Sequence, residues 1–166
     1  GMNKLMNCNK VSKNRYLLED INYNLLINRP VINVDLSDVK KGISGQILIT
    51  GGCGSIGSEI VRQLIHYEIY DIIIYDYCEY GMFELKNELR SKYNIGVSSH
   101  PIKMIIGDIK DKEHIDKVFQ EYNIQMVFHA AAYKHVPLME ENPYEAIKTN
   151  ITGSKIIADT SNKYNV

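Results

Sequence analysis

Gln46-Ile47-Leu48-Ile49-Thr50-Gly51-Gly52-Cys53-Gly54-Ser55-Ile56-Gly57 is the stretch on which the reading of this chain turns. Ile47 to Thr50 is a short apolar, β-branched run that ends in glycines, which reads as a buried strand. The glycines satisfy two spacings at once, Gly52-x-Gly54-x-x-Gly57 and Gly51-x-x-Gly54-x-x-Gly57. Neither spacing is specific by itself. A position after a strand and at the start of a helix is what a phosphate-binding turn requires. Glycine permits the tight turn and lets the backbone come close to a pyrophosphate. The helix start then offers unpaired N–H groups and the positive end of its dipole. The competing reading is an ordinary glycine-rich turn between a strand and a helix.

Outward from this stretch the pattern repeats. Residues 56–69 put Ile56, Ile60 and Leu64 on one helical stripe, with Val61 and Ile65 beside it. Ile72 to Tyr75 is a second apolar strand. Residues 80–93 carry Met82, Leu85 and Leu89 at helical spacing, and Ile102 to Ile106 reads as a third strand. Ile115, Val118, Phe119 and Tyr122 mark a third helix, and Gln125 to His129 a fourth strand. Asn142-Pro143-Tyr144-Glu145 has the composition of a helix start, with Asn as N-cap, Pro in the first turn and Glu three residues after the cap. That helix is expected to run to about Tyr164. Apolar strands alternating with helices indicate an α/β fold with a parallel sheet covered on both faces. Right-handed crossovers favour the strand order 3-2-1-4. The expectation is a Rossmann-like, doubly wound sheet of about four strands. A complete dinucleotide fold needs another half, so the chain reads as a truncated one, ending just after its fourth helix.

Candidate site residues cluster at the ends of these strands. Asp76 closes the second strand, 19 residues beyond Gly57. An acid there can accept hydrogen bonds from the adenosine ribose hydroxyls and would repel a 2′-phosphate, which favours NAD over NADP as cofactor. A plain capping or loop aspartate is the alternative, and Glu79 is a second acid at the same edge. Asp108, in Gly107-Asp108-Ile109, reads equally as a partner of the adenine amino group and as a turn cap. Cys53 lies in the glycine turn. A helix start can lower a thiol pKa and suit a redox sensor, while the plainer reading is a small residue tolerated near phosphates. Ala130, Ala131 and Ala132 follow His129 at the carboxyl edge of the fourth strand and leave room for a flat ring system, or simply pack closely against a helix. Tyr133, Lys134 and His135 come next. They could bind phosphate, polarise a carbonyl or move a proton, or form a solvated loop.

Composition bounds the function class. The 166 residues are enough for one domain or part of one. With 45% apolar and 23% charged residues, the chain is globular rather than disordered. Nineteen basic residues against 20 acidic ones give a net charge of −1, which argues against a general nucleic-acid or membrane-surface binder. No apolar run approaches the roughly 20 residues that span a bilayer, and no signal peptide is evident. The three cysteines, Cys8, Cys53 and Cys78, form no C-x-x-C pair and read as reduced thiols of a cytoplasmic protein. The histidines have no metal-binding spacing, so no metal is expected. Residues 1–15 are expected to be a loose tail, 16–45 an extension docking on the domain, and 46–166 an incomplete NAD(P)-binding domain. Gly1 before Met2 reads as the remnant of a cleaved tag, with Met2 as the native start.

Taken together, the motifs resemble a known family. They are Thr50 to Glu59, Tyr75-Asp76 with Glu79-Tyr80, Gly107-Asp108-Ile109, and above all the segment from His129 to Gly153. This set is similar to the capsule-type bacterial polysaccharide-biosynthesis proteins, nucleotide-sugar 4,6-dehydratases of the extended short-chain dehydrogenase/reductase superfamily. The upstream Asn28 to Asp35 also resembles the segment that precedes the nucleotide fold there, so the resemblance runs from about residue 16 to the end.

The resemblance implies a cycle in which hydride passes from C4 of a UDP-N-acetylhexosamine to NAD⁺, water is lost across C5 and C6, and the hydride returns to C6. The product would be a UDP-4-keto-6-deoxy sugar, a precursor of surface glycans. It also implies that Gly51, Gly54, Ser55, Ile56 and Gly57 line the pyrophosphate, that Asp76 holds the ribose, and that Asp108 and Ile109 hold the adenine. Ala130, Ala131 and Ala132 would pack on the cofactor. Lys134 would lie near the nicotinamide or substrate, and Asn150 would support the active-site lysine. The catalytic acid, base and lysine would lie beyond Val166, so this stretch is expected to bind NAD and catalyse nothing alone. A UDP-sugar is the substrate implied for the complete enzyme, with membrane association only where a longer parent carries an anchor. An unpaired edge on the fourth strand would invite homo-oligomerisation. An epimerase or reductase half, and a non-catalytic NAD-binding module, are the other readings.

Overall fold

The computed structural model describes residues 42–95, 102–132, 140–141 and 143–166. All of them belong to the unit Leu36–Val166. The expected tail and most of the docking extension fall outside the described residues, as do Tyr133, Lys134, His135 and the expected N-cap Asn142.

Four strands form one sheet: β1 (Gln46–Thr50), β2 (Ile72–Asp76), β3 (Lys103–Ile106) and β4 (Ile124–His129), in the order β3-β2-β1-β4. All three pairings are parallel, with Ile49 opposite both Ile74 and Phe128, and Ile74 opposite Met104. Between them run α1 (Ser55–His66), α2 (Glu79–Tyr93) and α3 (Lys112–Glu121). After β4 come α4 (Pro143–Ala146), a π-helical stretch Ile147–Gly153, and α5 (Ser154–Lys163). This is the doubly wound α/β architecture expected, with helices on both faces of the sheet.

Strand alternation sorts the core into two clusters, because successive side chains leave a strand on opposite faces. Ile47, Ile49, Ile72 and Ile74 pack with Val61, Leu64 and Ile65 of α1 and Met82, Leu85 and Leu89 of α2. Leu48, Ile73 and Tyr75 pack on the other face with Ile115, Val118 and Phe119 of α3 and Ile157 of α5. β1 and β2 are central and almost wholly buried, whereas β3 is an edge strand with Lys103 and Ile106 exposed. Among the described residues no helix is long and apolar enough to cross a membrane.

Two expectations about the helices need correction. The buried stripe of α1 does not begin at Ile56, which is 60% exposed. It consists of Gly57, Ser58, Val61, Leu64 and Ile65, and Ile56, on another side of the first turn, borders the cavity at the strand ends instead of the core. The last helix is also not one continuous α-helix. Its middle, Ile147–Gly153, winds as a π-helix in which Thr149 and Gly153 are buried. There the backbone presses on the turn after β3: a Cβ on Gly153 would lie 2.6 Å from Ile109 Cδ1. Wider turns of this kind interrupt helices where local packing competes with the regular ladder. Tyr122, expected within α3, is its C-cap.

Candidate active site

A cavity of about 380 Å³ opens at the carboxyl ends of the strands. Its walls come from the turn after β1 (Gly51, Cys53, Gly54, Ser55, Ile56), the end of β2 (Tyr75 to Cys78, with Gly81), and the turn after β3 (Gly107, Asp108, Ile109). Ala130, Ala131 and Ala132 beyond β4, and Thr149 of the π stretch, complete it. Ligands of open α/β sheets bind at this edge, where the crossovers to the two faces part.

The glycines of the first turn have separate duties. Gly51 has φ +67°, and a Cβ there would sit 2.6 Å from backbone atoms of Ala130 and Ala131. Only glycine lets β1 turn this tightly against the end of β4. Gly57 does not line the cavity. Its missing Cβ would lie 2.1 Å from the Gly51 carbonyl oxygen, so glycine here lets α1 close on the turn. Gly54 is different. A Cβ there would meet only the Gly51 oxygen, at 3.3 Å, while the residue lines the cavity and is the N-cap of α1. No side chain caps this helix. The first N–H groups of a helix have no partner within it, so this end presents backbone donors to the cavity.

Asp76 ends β2 and is buried. Its Oδ2 accepts the Cys53 N–H at 3.1 Å and its Oδ1 accepts the Cys78 N–H at 2.9 Å. The carboxylate is thus held in the cavity wall by two backbone amides, bracing the turns after β1 and β2; it does not cap α2, whose N-cap is Cys78. Glu79 lies in the first turn of α2, exposed and away from the cavity lining. Asp108 acts as a turn cap: Oδ1 accepts the Lys110 N–H at 2.9 Å, and Oδ2 pairs with Lys110 Nζ at 3.4 Å. It lines the cavity as well.

Burial, reinforced by the Asp76 carboxylate, pushes the Cys53 thiol pKa up. The lowered pKa that a helix start can confer on a thiol is therefore not realised. Burial and the acids Asp111 and Asp108 likewise raise the Tyr75 phenol. It stays neutral and hydrogen-bonds the Asp108 carbonyl at 3.1 Å and His114 Nδ1 at 3.2 Å. His129, at the end of β4, joins Thr50 Oγ1 through Nδ1 at 2.6 Å and Ser154 Oγ through Nε2 at 2.9 Å. Burial lowers its pKa from 6.5.

The fold brings together Gly51, Gly54, Ser55, Ile56, Asp76, Asp108, Ile109 and the three alanines. It leaves Asn150, half-buried in the π stretch, outside the lining. Lys134 is outside the described residues. Sequence reasoning missed Thr149, Cys78 and Gly81. Thr149 Oγ1 is buried and has no hydrogen-bond partner among the described residues. Nothing in the local pattern marks it, because it reaches the cavity only through the packing of the π stretch. Among the described residues no group of three His, Cys, Asp or Glu could hold a metal ion.

Residues 47–166 match the family of polysaccharide biosynthesis proteins, and the chain belongs to that family. It is 35% identical over 145 residues to the probable polysaccharide biosynthesis protein EpsC of Bacillus subtilis, which covers 87% of this chain and 24% of that protein. It is 41% identical over 114 residues to a UDP-N-acetylglucosamine 4,6-dehydratase (inverting) of Campylobacter jejuni, covering 68% of this chain and 31% of the relative. Among solved structures, the UDP-glucose 4-epimerase of Thermus thermophilus in complex with NAD aligns with TM-score 0.59 and 26% identity, over 73% of this chain and 35% of the epimerase. The chain thus spans less than a third of the length of either curated relative.

Proposed function

We propose that this member of the polysaccharide biosynthesis protein family is the NAD-binding part of a UDP-N-acetylglucosamine 4,6-dehydratase serving surface polysaccharide or glycan synthesis. One observation carries the reading. A single cavity at the carboxyl edge of the sheet gathers an uncapped helix start, a clamped carboxylate, a run of three alanines and a buried hydroxyl.

The residues present fit a dinucleotide. An unpaired buried hydroxyl costs about 1–3 kcal/mol, and a ligand that hydrogen-bonds Thr149 would recover it. Gly51, Gly54, Ser55 and Ile56 form the cradle for a pyrophosphate, with backbone donors and the helix dipole as the attraction, while Gly57, expected in it, acts only by letting α1 close on the turn. Asp76, with an amide on each oxygen, still has lone pairs for the ribose hydroxyls, and its charge disfavours a 2′-phosphate. NAD is therefore the cofactor in preference to NADP. Asp108 and Ile109 take the adenine, Ala130, Ala131 and Ala132 the flat face of the cofactor, and Lys134 the nicotinamide or substrate side. Asn150, in the π stretch, supports the active-site lysine of the complete enzyme. When bound, NAD supplies the acceptor and donor of hydride for the sugar. The dehydratase relative, at 41% identity, supports a UDP-sugar as substrate of the complete enzyme. The resemblance puts the catalytic acid and base beyond this stretch, so the 166 residues alone turn nothing over. The setting is the cytoplasm, or a membrane where the complete protein carries an anchor.

The epimerase with NAD bound supports a second reading, the cofactor half of a nucleotide-sugar epimerase. Product analysis with the complete enzyme separates the two.

Calorimetric titration of this chain with NAD⁺ and NADP⁺ tests the proposal. NAD⁺ should bind about tenfold more tightly than NADP⁺, a difference of about 1.4 kcal/mol. Asp76→Asn should narrow that gap, and Gly54→Ala should weaken both cofactors while leaving the thermal unfolding midpoint close to that of the parent. A chain that is folded by circular dichroism yet binds neither nucleotide would overturn the reading.

A further inference from the structure

Cys53 and Cys78, 25 residues apart in sequence, meet at Gly81 in the wall of the cavity. The point where a Cβ on Gly81 would sit lies 2.6 Å from Cys53 Sγ and 3.4 Å from Cys78 Sγ. Both sulfurs border the space that the missing side chain of Gly81 leaves open. Cys53 Sγ is also 3.9 Å from the Cys78 carbonyl oxygen. The backbone amides of the same two residues grip opposite oxygens of Asp76, at 3.1 and 2.9 Å. One carboxylate thus ties together the two turns that carry these cysteines. Both are free thiols, Cys78 exposed and Cys53 partly covered.

We propose that Cys53 and Cys78 form a reversible dithiol–disulfide pair, a modification site that responds to hydroperoxides and closes a covalent link around the Asp76 clamp. The exposed Cys78 reacts first. Its sulfur attacks one peroxide oxygen, the O–O bond breaks, and the second oxygen leaves as water with the thiol proton, which leaves Cys78 as the sulfenic acid. Cys53 sulfur then attacks Cys78 sulfur. The S–S bond forms, the S–O bond breaks, and the hydroxyl departs as a second water with the Cys53 proton. Two thiols are oxidised and one peroxide is reduced to two waters. Burial and the neighbouring carboxylate favour the protonated Cys53 thiol, so ring closure should quicken as pH rises. The proposal does not depend on what occupies the cavity.

The test treats the reduced chain with hydrogen peroxide, followed by free-thiol titration and peptide mass mapping with and without dithiothreitol. The expected result is loss of two of the three thiols, with a dithiothreitol-reversible link joining the Cys53 and Cys78 peptides. In Gly81→Ala the added methyl group displaces the Cys53 sulfur, so the cross-linking rate should fall about tenfold as the pair is kept from disulfide geometry. Circular dichroism checks that this variant folds. The proposal fails if the link found involves Cys8, or if Cys78 passes to the sulfinic acid while Cys53 keeps its thiol. It fails equally if folded Gly81→Ala cross-links at the parental rate.

Discussion

The two faces of the sheet are built differently. The fully buried core under α1 and α2 is aliphatic apart from a methionine: Ile47, Ile49, Ile72 and Ile74 meet valine, leucine, isoleucine and methionine, with rings such as Tyr67, Tyr93 and Phe128 only at its partly buried margin. The face under α3 and α5 contains a fully buried tyrosine whose hydroxyl bonds a carbonyl and a histidine, and a threonine–histidine–serine chain crosses its margin. The first face has no direction to satisfy. The second must place polar atoms in register before it can close. Non-directional packing tolerates small errors of position, whereas a buried hydrogen bond does not. The polar face is also the one whose last helix departs from regular winding and brings Thr149 to the cavity.

The contrast can be broken by substitution. The largest effect should come from the aliphatic face. Ile49 is fully buried, and Ile49→Ala should cost about 3 kcal/mol from lost burial and the cavity left behind. Urea unfolding at pH 6 and pH 8 should give the same loss, because no titrating group touches the side chain's role. A loss that changed with pH would show that the two faces are not separable.

On the polar face, Tyr75→Phe removes one hydroxyl and almost no volume. It leaves the Asp108 carbonyl and His114 Nδ1 without that partner, a loss of about 1 kcal/mol. The same measurement should also show weaker order in the turn carrying Asp108, read as faster amide exchange at Lys110. A neutral outcome in both would mean that the hydroxyl is only accommodated.

The smallest effect concerns His129. Burial holds its folded-state pKa below the unfolded value of 6.5, so unfolding takes up a proton as pH drops through that value. Its contribution to stability should therefore be complete above pH 6.5 and decline as pH falls below it, levelling off below the folded pKa. Because the ring is partly open to solvent, the decline should be shallow. His129→Gln should remove this part of the slope, seen as the difference between two stability–pH curves.

Much of this fold was legible in the sequence because its signals are local. Four short apolar runs alternate with helical stripes, and their period is imposed by backbone geometry whatever surrounds them. The glycine turn could be located for the same reason. Its internal division of duties could not, because Gly51 is required by Ala130 and Ala131, almost 80 residues away, and Gly57 by the Gly51 carbonyl. Ile56 was misread for a related reason: periodicity picks out an apolar stripe and is silent on whether each member meets the core or borders a cavity. The acids at the strand ends were found, but their clamping by Cys53 and Cys78 amides was not, since hydrogen-bond partners across a turn leave no spacing signature.

The sequence by itself determined the succession of strands and helices, the parallel order of the sheet, the edge at which the cavity opens and the family resemblance. These follow from chain periodicity, turn chemistry and the handedness of crossovers, all of which act over a few residues or one connection. Only the tertiary structure decided which side chains share the cavity, which glycine faces it, that Thr149 has a buried hydroxyl there, and that two cysteines meet over Gly81. Those outcomes depend on contacts between residues distant in the chain, which arise only once the helices have closed on both faces of the sheet.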